Sequence, residues 1–145
     1  MAKKLVILGA GESGVGTALL AKQKGYDVFV SDASTIQPNF QKELELHQIE
    51  FEFGAHSVER ILAADEVMKS PGIPEKNELV VAIRAKGIPV ISEIEFGYRY
   101  KGNAKIAAIT GSNGKTTTTS LLFHICQVAE QDAAMVGNIG FSFAR

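Results

Sequence analysis

The chain has 145 residues, of which 46% are hydrophobic and 21% charged, and its formal net charge is −1. Such a chain is long enough to bury a core of its own, and its composition is typical of globular proteins. No basic block supports binding to nucleic acid or to a membrane surface, and no apolar run is long enough to span a bilayer. Cys126 is the only cysteine, which excludes an internal disulfide and favours a reducing, cytoplasmic location.

Strand-like apolar runs alternate with helix-like segments along the whole chain. Strands are predicted over 4–8, 27–31, 50–53, 66–70, 89–92, 105–110 and 133–136. Helices are predicted over 15–24, 39–47, 58–64, 78–86, 93–100 and 116–129, with Ser57 and Asn77 as N-caps. The alternation predicts an α/β protein with a Rossmann-like, mainly parallel sheet and helices on both faces. Short strands with few polar interruptions fit that arrangement, because both of their faces are buried.

The loop Gly9–Gly14 follows the first predicted strand and has the pattern G-x-G-x-x-G. Its glycines permit a tight turn and a close approach of the backbone to a diphosphate. Asp32 lies about 20 residues farther on, where an acid accepts hydrogen bonds from a ribose. The pattern does not distinguish NAD, FAD and a nucleotide sugar, since each presents a diphosphate joined to a ribose. The alternative is a compact turn in which Asp32 caps the next loop.

Two later loops also follow predicted strands, at the sheet edge where parallel α/β proteins bind their ligands. In Ser70–Pro74, Ser70 and the amide of Gly72 are candidates for contact with a phosphate. The alternative for this loop is a rigid turn built by two prolines. In Gly137–Gly140, Asn138 is a candidate to bind a phosphate or orient a ligand, and the alternative is an ordinary glycine turn.

The run Thr110–Thr118 reads T-G-S-N-G-K-T-T-T and lies between a predicted strand and a predicted helix. A glycine-rich turn there directs amides at a phosphate, and the helix N-terminus adds partial positive charge. Lys115 can reach terminal phosphates and the Thr116 hydroxyl suits Mg²⁺, so the run predicts a site for ATP or GTP. It is a variant P-loop, because Ile109 stands where a glycine is usual and Gly111 acts as the upstream glycine. The alternative is a glycine-rich turn with a solvated lysine.

Other polar residues have plainer interpretations. The three histidines have no metal-ligand spacing, and each is predicted to be structural or exposed: His47, His56 and His124. Glu93 and Glu95 are predicted to lie on a solvated helix face.

The later part of the chain is predicted to be a separate, weaker unit. Residues 100–103 are the best candidate for a linker. Residues 101–145 are predicted to be less stable than the first unit, with a sheet edge open to pairing. Residues 141–145 read as the start of a helix whose apolar side chains have nothing after them to pack on, which suggests part of a longer chain.

Taken in order, these loops resemble those of the Mur ligases of bacterial peptidoglycan synthesis. The T-G-S-N-G-K-T loop is specific to these ligases and the folylpolyglutamate synthetases, whereas S-P-G-I-P and G-N-I-G favour the member that adds D-glutamate. The resemblance implies an amide ligase that uses ATP and Mg²⁺, with UDP-N-acetylmuramoyl-L-alanine and D-glutamate as substrates and an acyl phosphate intermediate. It also implies that residues 1–93 form a UDP-sugar-binding domain, and 94–145 a linker and the start of an ATP-binding P-loop α/β domain.

The resemblance further implies roles for individual residues. Those implied to bind the UDP-sugar substrate are Gly11, Glu12, Ser13, Gly14, Asp32, Ser70, Pro71, Gly72, Gly137 and Asn138. Those implied to bind ATP are Gly111, Asn113, Gly114, Lys115, Thr116 and Thr117. Lys115 and Thr116 are the implied catalytic residues, and Thr116 is the implied metal ligand. Some relatives carry an arginine two residues after the acid, where this chain has Ser34.

Two other functions remain open from the residues alone. The first glycine loop also suits an oxidoreductase that uses NAD or FAD, although nothing in that class explains the second phosphate loop. The chain also suits a nucleotide-binding module without catalysis of its own. The oligomeric state is not predicted.

Overall fold

The computed structural model describes residues 2–145, which contain five strands and six helices. The strands are β1 (Lys4–Leu8), β2 (Asp27–Asp32), β3 (Glu50–Phe53), β4 (Glu66–Lys69) and β5 (Val90–Ile91). The helices are α1 (Glu12–Gln23), α2 (Pro38–Leu46), α3 (Val58–Ile61), α4 (Glu78–Ala85), α5 (Glu93–Tyr98) and α6 (Lys115–Val128).

The five strands form one parallel sheet in the order β3-β2-β1-β4-β5. The chain builds outward from β1 to β3 and then returns to the other side of β1 for β4. Val6 is therefore paired with Phe29 on one side and with Val67 on the other. The reversal leaves a crevice between the loops that follow β1 and β4, where sheets of this kind bind ligands. The predicted Rossmann-like fold is confirmed.

Helices cover both faces of the sheet, because alternate side chains of each strand point to opposite sides. Leu5 and Ile7 of β1 pack with α1, α2 and α5, whereas Val6 and Leu8 pack with α3 and α4. This alternation explains why the strand sequences are apolar almost throughout.

The first helices differ from the prediction at their ends. Helix α1 begins at Glu12, three residues earlier than predicted, with Gly11 as its N-cap, so the glycine loop itself contains the first helical turn. Asn77 caps α4 as predicted, since its Oδ1 accepts from the amides of Leu79 and Val80 at 3.0 and 3.4 Å. Ser57 does not cap α3, because its hydroxyl donates to Glu52 instead.

Helix α5 is packed onto the sheet. Phe96 is fully buried in the core, and the hydroxyls of Tyr26 and Tyr100 are 3.0 Å apart. Arg99 donates to both carboxylate oxygens of the buried Glu66, at 2.9 and 2.8 Å. The domain boundary after residue 93 stays a prediction, and α5, which begins at that residue, packs into the core of the first unit.

The two strands predicted after residue 100 are wrong. Residues 105–110 are not in a strand, and in 133–136 only Val136 makes an isolated bridge, to Phe141. A strand must satisfy its backbone groups with a neighbour, and the described residues offer none to this segment. Helix α6 forms as predicted within one residue at each end, but none of its residues is buried.

Residues 142–145 do not begin a helix, contrary to the prediction, and they pack against α1 and α5. Ser142 and Ala144 are buried, and the amide of Ala144 donates to Glu93 Oε1 at 2.6 Å. The predicted solvated position of Glu93 is wrong, since Glu93 is only 5% exposed. Burial raises the pKa of Glu93, and the backbone hydrogen bonds from Ala144 and Phe143 only partly offset that effect.

Candidate functional site

An open pocket of about 500 Å³ lies at the carboxyl ends of the central strands. It is formed by the loops that follow β1, β2 and β4, together with one residue after β3. Seven of the residues predicted to bind the UDP-sugar substrate line it: Gly11, Glu12, Ser13, Asp32, Ser70, Pro71 and Gly72. Gly14, Gly137 and Asn138 are outside its lining, and their role in binding stays a prediction.

The first glycine loop is packed tightly against its surroundings at two positions. Gly9 has φ = 95°, and a Cβ there would lie 2.6 Å from Ser70 Oγ, so this position excludes other residues on both grounds. A Cβ on Gly14 would lie 1.9 Å from the carbonyl oxygen of Gly9. The glycines thus close the turn and bring the β1 and β4 loops into contact.

Gly11 differs from these two glycines because a Cβ there would meet nothing within 4 Å. It faces open space in the pocket wall and caps α1, with no side chain capping the first turn. The first amides of a helix have no partner inside the helix, and they attract anions together with the helix dipole. This end of the pocket therefore has the geometry for a phosphate group.

Asp32 lies at the end of β2 and joins the pocket wall. Its Oδ2 accepts from the amide of Ala10 at 2.7 Å, and its Oδ1 accepts from the amide of Ser34 at 2.8 Å. Asp32 thus holds the glycine loop through Ala10 and caps the loop after β2 through Ser34. The second contact is the alternative role that was predicted from the sequence. Each carboxylate oxygen can accept a second hydrogen bond, so the fastening leaves capacity for a ribose hydroxyl.

The pocket also contains His56, which the sequence did not single out as a binding residue. Its Nδ1 lies 2.6 Å from Ser31 Oγ, and that hydroxyl is 2.6 Å from Glu52 Oε1. Burial alone would raise the pKa of Glu52, but hydrogen bonds from Ser31 and Ser57 lower it below its ordinary value. The chain of contacts fixes the ring of His56 and leaves Nε2 for a ligand.

No spacing in the sequence predicts this cluster. Ser31 and Glu52 are register partners on β2 and β3, and His56 follows β3 by three residues. The three side chains meet only because the two strands pair in this register.

The loop Ser70–Pro74 forms the opposite wall of the pocket. The amide of Ser70 donates to the carbonyl of Leu8 at 3.0 Å, and the amide of Ile73 donates to the carbonyl of Ser70 at 3.1 Å. Lys69, which is mostly buried, donates to the carbonyl of Ile73 at 2.7 Å and pairs with Glu75 at 3.3 Å. The loop is thus a braced turn, as the two prolines suggest, and it also faces the pocket.

Glu12 places a carboxylate at the edge of the pocket, where it is held by the 142–145 segment. Its Oε1 accepts from Arg145 Nε at 2.8 Å and from the amide of Ser142 at 3.1 Å, and its Oε2 accepts from Arg145 Nη2 at 3.1 Å. Burial alone would raise the pKa of Glu12, but these contacts lower it below its ordinary value. Glu12 is therefore ionised at neutral pH.

The second glycine-rich loop, which is predicted to bind ATP, lies outside this pocket. Gly114 has φ = 76° and caps α6, so the chain turns directly into the helix at Lys115. The ammonium group of Lys115 donates back to the carbonyls of Gly111 and Ser112. The six residues predicted to bind ATP are adjacent and exposed at this helix N-terminus. Their arrangement fits a phosphate, although their binding roles stay predictions.

The described residues were also searched for a metal site and for a membrane-spanning helix. Within 2–145, no three His, Cys, Asp or Glu side chains come together in a way that could hold a metal ion. None of the helices in this part combines the length and apolar character needed to cross a membrane. Thr116 as a Mg²⁺ ligand stays a prediction.

Two relatives are similar to almost the whole chain. A UDP-N-acetylmuramoylalanine–D-glutamate ligase of Cytophaga hutchinsonii is 58% identical over 146 residues, which cover 100% of this chain and 32% of the relative. A ligase of the same name from Bacteroides thetaiotaomicron is 56% identical over 142 residues, covering 98% of this chain and 32% of the relative. The chain thus spans about a third of the length of these relatives.

A solved structure shares the fold over most of the chain. A pseudomurein peptide ligase type C from Methanothermus fervidus matches with a TM-score of 0.61 and 30% identity, covering 88% of this chain and 26% of that one. Residues 3–92 match the family described as Mur ligase MurD-like, N-terminal domain. The resemblance seen in the loops is confirmed: the chain belongs to the MurD-like Mur ligases, and its first 92 residues contain their N-terminal domain.

Proposed function

We propose that this chain is the N-terminal part of an ATP-dependent ligase that joins D-glutamate to UDP-N-acetylmuramoyl-L-alanine in peptidoglycan synthesis. The observation that carries the proposal is that one chain has two separate glycine-rich loops that each lead into a helix N-terminus, one after β1 and one before α6. A ligase of this kind needs both, because it brings a nucleotide sugar and ATP to the same reaction. The names of the relatives support this choice of substrates.

The first pocket is the proposed site for the UDP moiety. The uncapped first turn of α1 and the open position at Gly11 suit the diphosphate, and the wall Ser70–Gly72 lies on its other side. Asp32 suits the ribose or the uracil. Ser34 stands near Asp32, so this chain holds the nucleoside without an arginine at that position. Gly137 and Asn138 are assigned to the same site by the resemblance alone, since they lie outside the pocket lining.

The second loop is the proposed ATP site, with Gly111, Asn113, Gly114, Lys115, Thr116 and Thr117 around the phosphates. ATP supplies the phosphoryl group that activates the muramoyl-alanine carboxylate, and the amine of D-glutamate then displaces phosphate. Lys115 and the amides at the start of α6 offset the negative charge that would otherwise keep a carboxylate from a triphosphate. The Thr116 hydroxyl is the proposed protein ligand of Mg²⁺ in this part of the chain.

The competing functions have less support. An oxidoreductase would use the first pocket, but it would leave the second loop without a role, and the family match favours a ligase. Binding without turnover is the expected behaviour of these 145 residues alone, because they span only 32% of the relatives.

The test is a reciprocal pair of variants in the 145-residue chain, with binding of UDP and of ATP–Mg²⁺ measured by calorimetry. Gly11→Ala meets no protein atom, so the fold is kept while the methyl group occupies the space of the diphosphate. We expect this variant to lose UDP and to keep ATP–Mg²⁺. Lys115→Ala is expected to do the opposite. NAD serves as the third ligand, and binding of NAD but not UDP to the unmodified chain would contradict the proposal.

A further inference from the structure

The position of Glu12 poses an electrostatic problem for the first pocket. Its side chain is 36% exposed, ionised and part of the pocket wall, one residue from Gly11. A carboxylate beside a bound diphosphate repels it, and the repulsion is strong where water is partly excluded. An unpaired Glu12 would therefore oppose the attraction that the N-terminus of α1 exerts on the same anion.

Arg145 supplies the compensating charge from the far end of the sequence. Its guanidinium group donates to both oxygens of Glu12, at 2.8 and 3.1 Å, in the forked geometry that makes such pairs strong. The side chain of Arg145 is only 21% exposed, and it also pairs with both carboxylate oxygens of Glu43 on α2. The pKa of Arg145 is raised by these two carboxylates, so it stays charged.

The backbone that carries Arg145 is seated in a groove, so the pair is more than a contact between flexible surface side chains. The groove depends on two glycines. A Cβ on Gly16 would lie 2.1 Å from Ser142 Oγ, and one on Gly97 would lie 2.8 Å from the Phe143 ring and 3.3 Å from Ala144 Cα. The amides of Ser142 and Ala144 are bound by Glu12 and Glu93, at 3.1 and 2.6 Å.

We propose that Arg145 is a positioning residue for the first pocket: by pairing with Glu12, it neutralises the acidic side chain at the N-terminus of α1 and lets a nucleoside diphosphate bind there. The inference rests on the proposed function for the identity of the ligand. It adds that binding in the pocket and docking of residues 142–145 stabilise each other, because coupling between two sites is reciprocal. The Glu12–Arg145 pair would thus couple the nucleotide-sugar site to residues 142–145, which follow the proposed ATP loop in the sequence.

The test is the affinity for UDP, measured by calorimetry at low salt, in a charge-removal cycle. We expect Arg145→Gln to weaken UDP binding about fivefold, at the lower end of typical couplings between sites. The double variant Glu12→Gln/Arg145→Gln is expected to regain the lost affinity, since the repelling charge is gone as well. A purely structural role of Arg145 would give no such rescue. Glu43→Gln is the matched control, because it removes another carboxylate from the same guanidinium group, outside the pocket, and should leave the affinity unchanged.

Three results would overturn the proposal. Arg145→Gln could bind UDP as tightly as the unmodified chain, the double variant could stay as weak as the single one, or Glu43→Gln could weaken binding as much as Arg145→Gln. Thermal unfolding of each variant identifies any loss of fold.

The failure of the proposed function has a different signature. If the unmodified chain binds NAD or inorganic pyrophosphate but not UDP, the proposed substrate is wrong, and the same cycle measured with the ligand that binds decides the role of Arg145. If the unmodified chain binds none of these diphosphates, both proposals are wrong.

Discussion

The two halves of this chain contain the same local pattern and fold differently. Each has an apolar run, a glycine-rich turn and a helix, at 4–23 and at 105–128. In the first half the run becomes β1, paired on both sides, and its helix buries six residues. In the second half the run pairs with nothing in the described chain and α6 buries none. A strand–turn–helix sequence therefore needs neighbouring strands before its apolar run forms a strand and its helix is buried.

The 142–145 segment is an exception within the second half. It packs onto α1 and α5 of the first half through buried side chains and amide hydrogen bonds to Glu12 and Glu93. Which residues are buried in this chain thus depends on contact with the sheet and its helices, and it does not depend on position along the sequence.

The largest expected difference between the halves is in hydrogen exchange. Amides in β1, β2 and β4 should exchange only by global unfolding, whereas those of α6 should open at almost no cost, a gap on the order of 5 kcal/mol. The amides of Ser142 and Ala144 should be protected more than those of α6, because both are hydrogen-bonded in the groove. Equal protection in β1 and α6, measured by mass spectrometry or NMR, would break the comparison.

A matched pair of Leu→Ala substitutions gives the next largest effect. Leu44 on α2 is fully buried, whereas Leu121 on α6 is 58% exposed. Replacing either leucine by alanine changes helix propensity equally, but only the change at Leu44 removes many packing contacts. Leu44→Ala should lower the free energy of unfolding by about 2–5 kcal/mol. Leu121→Ala should lower it by less than about 0.5 kcal/mol in urea unfolding. Similar losses for both would mean that α6 is packed as firmly as α2.

Under the proposed function, Lys115→Ala should separate the two halves when it is measured in a ligase that contains this chain. If the second loop binds ATP, loss of its charged group should lower kcat by about 10²–10³ while the affinity for the UDP-sugar is unchanged. Lys105→Ala, in the same exposed half but outside the loop, is the control and should keep both properties. Near-normal turnover in Lys115→Ala would refute the role assigned to this lysine.

The smallest expected effect is a pH dependence at the contact between the halves. The pKa of Glu93 is raised by burial, so the folded state holds the proton more tightly than the unfolded state does. Stability from this group is present at acid pH and is lost as pH rises from its ordinary value of 4.5 through the raised value. Glu93→Gln should therefore gain stability relative to the unmodified chain over that range.

The control for this measurement is Glu78→Gln, since Glu78 is also the first residue of its helix and is exposed. This substitution should change the pH profile of thermal unfolding less than Glu93→Gln does, because Glu78 is exposed. A profile for Glu93→Gln that runs parallel to that of the unmodified chain would mean that Glu93 titrates as it does in the unfolded chain.

Much of the pocket could be predicted from the sequence. The glycine loop, Asp32 and Ser70–Gly72 all meet at the edge of the sheet, because the carboxyl ends of parallel strands converge there. His56 was missed, since its place depends on the pairing of β2 with β3, which no local pattern records. The contact of Arg145 with Glu12 was missed for the same reason, as the two residues lie 133 positions apart.

The amino-acid sequence by itself determined the α/β fold, the five strands of the sheet and the two glycine-rich turns, because periodicity and backbone freedom act over a few neighbouring residues. Only the tertiary structure decided that 105–110 is not a strand, that Glu93 is buried and that Glu12 is paired. Each of these outcomes depends on whether a distant part of the chain supplies a partner for a backbone group, an apolar surface or a charge, and such partners are set by packing in three dimensions.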